Sequence, residues 1–162
     1  MALSASCFRM GAIRFCLAMI LGLLLVSGYV VAPVLFAKAE SSMLAGMLAG
    51  HIFHVANAGV IFLVAAVAAF WIRLGGVGRL NWILLLLVAV FVAGNEFILS
   101  PMMQALKDAA GAMDALPKDD PQRMQFAMYH GVSAVLHLIA SGMAVLLVAL
   151  GGNACTSYQE AK

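Results

Sequence analysis

Charge is what this sequence has least of. Asp, Glu, Lys and Arg make up only 10% of its 162 residues, against about 25% in soluble domains. The formal net charge is +2, so no basic surface points to nucleic acid. The 3 cysteines, Cys7, Cys16 and Cys155, have no C-x-x-C or other metal spacing, which leaves them as unpaired thiols. There is no Gly-rich phosphate loop, no nucleophile elbow and no H-E-x-x-H, so nothing supports a hydrolase or transferase. Asp108, Asp114, Asp119 and Asp120 lack the spacing of an EF-hand and read as a solvated loop.

What is present is apolar. Hydrophobic residues are 65% of the chain, and mean hydropathy is +1.05. A soluble chain this short cannot bury so much apolar surface. Lipid is the solvent that suits it. A spanning helix needs about 20 apolar residues, and four runs qualify: 13–36, 43–72, 80–103 and 124–150. The runs are continuous rather than alternating, and open sheets cannot span lipid. The expected fold is therefore all-α: one integral membrane domain, a four-helix bundle of up-down topology. Short turns follow the first two runs, a polar loop covers 107–122, and a polar tail covers 151–162. Pro121 is a helix-start signal. Pro33 and Pro101 are expected to end or kink their helices. Tyr29, Trp71 and Trp82 fit interfacial belts.

Lysine and arginine set the orientation. Arg73 and Arg79 flank a tight turn, and Arg9, Arg14 and Lys162 lie on the same side when the N-terminus is inside. Both termini are then expected in the cytoplasm, in a bacterial inner membrane. Arg9 and Arg14 before an apolar run, with Ala37-Lys38-Ala39 after it, resemble a signal peptide. The run exceeds the usual h-region of about 7–15 residues, so the first helix is expected to be retained.

The chain also reads as two similar helical hairpins. Tyr29, Pro33, Leu35 and Lys38 end the first run, and Phe97, Pro101, Met103 and Lys107 end the third. The helix after each carries histidines beside a glycine: Gly50, His51 and His54, then His130, Gly131 and His137.

Pro33-Val34-Leu35-Phe36, followed by Ala45-Gly46 and Gly50, resembles the opening of the transmembrane-protein-205-like family, also catalogued as domain of unknown function 4149. Asn95 with Pro101, and Phe126 with His130 and Ser133, are similar to its later motifs. The resemblance covers about Ile13 to Leu150. It implies a small helical membrane protein and brings no chemistry with it. A role for His51, His54 or His137 rests on this sequence alone.

Ionisable groups within lipid are costly and are functional candidates by default. Glu96 and all four histidines fall within spans. Counted from the outer ends at about 1.5 Å per residue, His51, His54, Glu96 and His130 share a layer roughly 10–17 Å deep. His137 lies about 10 Å further in. His51 and His54 share a helix face that Asn57 extends, and His130, Ser133, His137 and Ser141 form one stripe. Asn95 and Glu96 are adjacent and are expected to diverge, with Glu96 inward if it pairs with a histidine.

Three readings stay open. In the first, the protein is a non-catalytic membrane component with a His/Glu-lined polar pocket in the outer half. Its polar residues hydrogen-bond across helices, and its partners are the lipid bilayer and a second copy or another membrane protein. In the second, His51 or His54 with His130 bind a b-type haem, or His51, His54, His130 and Glu96 bind copper or another transition ion. In the third, the same groups pass a proton or small solute, with His137 and Ser141 carrying it inward. Gly46 and Gly50 form a G-x-x-x-G for close helix approach, expected first within the bundle.

Overall fold

The computed structural model describes residues 5–111 and 113–151. The side chain of Cys7, all of Cys155 and the tail beyond residue 151 lie outside the described residues. Four helical rods account for nearly everything described, and the described residues contain no strand. The rod α1 runs from Ala5–Leu25 through a wide turn at Val26–Val31 into Ala32–Lys38. The second, α2, is Ser42–Leu74. The third, α3, runs Arg79–Gly94, then a wide turn at Asn95–Leu99, then Ser100–Ala110. The last, α4, is Pro121–Gly151. A short 3₁₀ turn, Met113–Ala115, lies in the connection before it.

Local chemistry sets the ends. Ser41 caps α2 by accepting from the Leu44 N–H at 3.1 Å. Gly75 ends α2 at φ 67°, and Gly111 ends α3 at φ 69°, conformations that glycine adopts without a Cβ penalty. Asp120 Oδ1 accepts from the Gln122 N–H at 2.8 Å, and Pro121 occupies the first position of α4, where no N–H is needed. The rods outrun the apolar runs. Lys107–Ala110 is helical, although its polarity reads as loop.

The rods pack in a ring, α1 against α2 and α4, and α3 against α2 and α4. Their apolar core lies toward the 74–79 turn. It is built from Ile13, Leu17, Ile20 and Leu24 of α1, Val60, Val64 and Val67 of α2, Leu84, Val88 and Val92 of α3, and Ala140, Ala144 and Leu147 of α4. Trp71 belongs to this core, edge-on to Trp82 at 5.3 Å. It is therefore a packing residue rather than part of an interfacial belt.

The outer surface confirms the solvent. All four rods are long and apolar enough to cross a membrane, at 30 to 33 residues each. Within their most apolar stretches only 22–33% of residues are buried, so most of the apolar side chains point outward. Phe15, Val55, Phe62, Leu86 and Leu138 are among them. Water does not tolerate so continuous an apolar surface.

Neither proline ends its rod. A proline ring in an α-helix clashes with the carbonyl four residues back, here that of Tyr29 or Phe97. Each rod answers with one wide turn just upstream. Ala32 N–H donates to Ser27 O, five residues back. Ser100 N–H likewise donates to Asn95 O. Counted from the proline, Ser27 corresponds to Asn95 and Gly28 to Glu96. The parallel between the two hairpins thus extends to backbone geometry.

Candidate functional site

One turn beyond the apolar core, every rod contributes a buried polar residue. These are Ser27 of α1, Asn57 of α2, Asn95 and Glu96 of α3, and His137 of α4. Each lies three or four residues from the nearest core residue of its rod, Leu24, Val60, Val92 or Ala140, on the side away from the 74–79 turn, so they form one layer across the bundle. Tyr29 lies level with this layer, 6.0 Å from the His137 ring, and not at an interface.

Glu96 is the centre of the layer. Its side chain is only 8% exposed. Helix α2 supplies a donor to each oxygen: Asn57 Nδ2 donates to Oε2 at 2.9 Å, and His54 Nδ1 contacts Oε1. The spacing of His54 and Asn57, three residues, puts both on the α2 face that looks at α3. His54 itself is open, with 70% of its side chain exposed. The pair therefore joins a buried carboxylate to an imidazole at the bundle surface.

Asn95 and Glu96 both point inward. The wide turn takes more residues per turn, which narrows the angle between neighbours, and α3 is flanked on both sides. Glu96 faces α2, while Asn95 Nδ2 donates to Ser133 O of α4 at 3.2 Å. Asn95 Oδ1 is buried with no partner. The expected divergence of the two side chains is real, but it sends them to two different helices rather than one of them outward.

His137 does something else. Its Nε2–H donates to Leu24 O of α1 at 2.9 Å. The ring lies edge-on to Phe53 at 5.3 Å and rests on Gly28, where an added Cβ would fall 2.7 Å from His137 Cδ2. Ser141 Oγ donates back to His137 O at 2.8 Å, and Ser27 Oγ donates to Leu23 O at 2.6 Å. The His137 bond joins α4 to α1, while both serines bond back to carbonyls of their own helices. Ser27 and Gly28 read from the sequence as ordinary packing positions. Their distance from Pro33, matched by that of Asn95 and Glu96 from Pro101, is the signal that singles them out.

The remaining histidines stand apart. His51 is exposed, and its Nδ1–H donates to Met47 O at 2.9 Å. His130 is exposed and stacks on Phe126 at 6.2 Å, over which Lys107 Nζ sits at 5.5 Å. Among the described residues no group of three or more His, Cys, Asp or Glu is placed to hold a metal ion. The four candidates thus resolve into one pair, His54 with Glu96, and two separate rings. The G-x-x-x-G also behaves differently from expectation. Ala45 and Ala49 are the small residues buried within the bundle, while Gly50 is exposed with nothing near it.

The family model described as "Domain of unknown function (DUF4149)" matches residues 15–112. The chain belongs to the DUF4149 family. The match begins within α1 and covers the rest of it with α2 and α3, hence the whole Glu96, His54 and Asn57 cluster and both wide turns, and stops before α4. No curated protein matches the DUF4149 chain, and no solved structure does.

Proposed function

We propose that this DUF4149 protein is a non-catalytic membrane component whose working centre is a proton-exchanging pair, Glu96 with His54. The observation that carries the proposal is the placement of the Glu96 carboxyl, buried at hydrocarbon level with donors from α2 on both oxygens. Packing alone does not require an ionisable group there, since Asn, Gln or Ser cross-links helices at far lower cost in lipid. The His54 ring touches the carboxyl, and histidine is the side chain that exchanges protons near neutral pH. A proton gained or lost at this pair changes the hydrogen bonds that tie α2 to α3, so proton binding is coupled to helix packing. His137 and Ser141 belong to packing in this reading, because both are spent on backbone carbonyls. The arginines around the 74–79 turn support a reading with both termini on the cytoplasmic side, and the membrane in this reading is a bacterial inner membrane.

The test is proton counting. Purified protein in weakly buffered liposomes is given a pH jump across the histidine range, and bound protons are read with an indicator dye. The parent is expected to bind more protons than Glu96→Gln. Equal binding by the two refutes the proposal. A pH-driven flux in the same liposomes that vanishes on Glu96→Gln extends the centre to transport.

A further inference from the structure

A groove of about 630 Å³ runs between α1 and α2, a volume in the range of small-molecule sites, about 300–1,000 Å³. Met19, Gly22, Val26 and Val31 of α1 and Ile52 and Val55 of α2 line it. Met19, Val26, Ile52 and Val55 are exposed, so the groove opens toward lipid rather than into the bundle. Its floor is left low by Gly22, where an added Cβ would meet nothing within 4 Å. From Met19 to Val31 is about 18 Å of helix, slightly more than one leaflet's share of a hydrocarbon core of about 30 Å. The groove therefore has the length of one inserted hydrocarbon chain.

Two polar side chains reach this lining, Ser27 and His51. The Ser27 hydroxyl is spent on Leu23 O. His51 lies at the end nearer the 39–41 turn, and its Nδ1–H is spent on Met47 O. Its Nε2 is left as the polar atom that an occupant can meet. A polar atom at hydrocarbon level is costly to leave against acyl chains, so the occupant that fits has an apolar chain and one hydrogen-bonding head. A carboxyl suits Nε2 in either protonation state of the pair. The acid donates to the bare nitrogen, or the carboxylate accepts from the N–H, and the heavy atoms stand alike. The ester carbonyls of a phospholipid only accept, and its second chain has no place in the groove.

We infer that the groove between α1 and α2 binds one fatty acid, its chain along α1 from Val31 to Met19 and its carboxyl at His51 Nε2. Ile52 and Val55 share a face of α2 that turns away from the face of His54 and Asn57. The site is therefore separate from Glu96, and the inference stands apart from the proton-exchange reading.

Electron spin resonance tests it in phosphatidylcholine vesicles that hold the protein. Spin-labelled stearic acid and spin-labelled phosphatidylcholine are compared by the fraction of each that the protein immobilises. The parent is expected to hold stearic acid about threefold more strongly, the worth of one hydrogen bond of average strength in a membrane. The methyl ester of the same probe is expected to show no preference, which needs no substitution in the protein. Gly22→Leu fills the groove, His51→Leu removes the polar atom, and each is expected to abolish the preference. Leu86→Phe, on an exposed face of α3, is expected to leave it in place. Equal immobilisation of the acid and phosphatidylcholine by the parent overturns the inference. A preference that survives Gly22→Leu overturns the groove as its site. One that survives His51→Leu, or that the methyl ester shares, overturns the carboxyl contact.

Discussion

Gly28→Ala tests the joint between α1 and α4. The new methyl would fall 2.7 Å from His137 Cδ2 and 3.5 Å from Cε1, with Nε2 closer still. Ordinary carbon contacts begin near 3.5 Å, so the ring must shift by most of an ångström. It has little freedom to do so, held by Leu24 O on one side and the edge of Phe53 on another. Overpacking of this kind costs about 1–3 kcal/mol, and loss of the bond to Leu24 O adds about 0.6 and at most about 1.7 kcal/mol in a membrane. Against this, alanine gains up to about 1 kcal/mol over glycine in helix propensity. The net expected loss is about 2 kcal/mol. Reversible unfolding in mixed micelles measures it, for Gly28→Ala, His137→Ala and the double variant. In the His137→Ala background the methyl has room, so Gly28→Ala becomes neutral or stabilising. A cost of Gly28→Ala that is the same in both backgrounds, or absent in the parent, would refute the reasoning.

Other outcomes follow from the same geometry. Glu96→Ala leaves the buried Asn57 amide without its acceptor and is expected to cost about 1–3 kcal/mol in the micelle assay, more than Glu96→Gln, which keeps an oxygen. Asn57→Leu strips a donor from a buried carboxylate and is expected to cost a similar amount, with proton binding altered in the liposome assay. Pro101→Ala restores an N–H at position 101 and removes the ring that the 95–99 turn accommodates; its proton binding is expected to fall toward that of Glu96→Gln. Gently purified protein is expected to show no Soret band and no stoichiometric copper, zinc or iron, because His51, His54 and His130 do not converge; a Soret band lost in His130→Ala would contradict that placement.

Much of the architecture was legible from composition and run length. Four apolar runs in 162 residues leave a four-span bundle as the simplest arrangement, and the structure has it. Helix ends were less legible, because Lys107 to Ala110 is polar yet helical: beyond the hydrocarbon, polarity no longer separates helix from loop. The site was half legible. The three-residue spacing of His54 and Asn57 and the cost of Glu96 in lipid pointed to a shared face. Depth counting did not separate His54, which reaches Glu96, from His51, which turns back to its own helix. That choice depends on rotation of α2 about its axis, and the burial of Val60, Val64 and Val67 sets that rotation. The wide turns were missed, since Pro33 and Pro101 normally signal an end or a kink. Only the matched residues around both prolines hinted that the chain had solved one backbone problem twice.

The central claim is that an imidazole and a carboxyl meet inside the membrane between α2 and α3. Nitrogen-15 magic-angle-spinning NMR of histidine-labelled protein in bilayers addresses it directly, with each ring assigned by substitution. On Glu96→Gln the His54 Nδ1 resonance is expected to move strongly, while those of His130 and His137 stay in place. An unmoved His54 resonance, or equal shifts at all of the rings, would contradict the pairing.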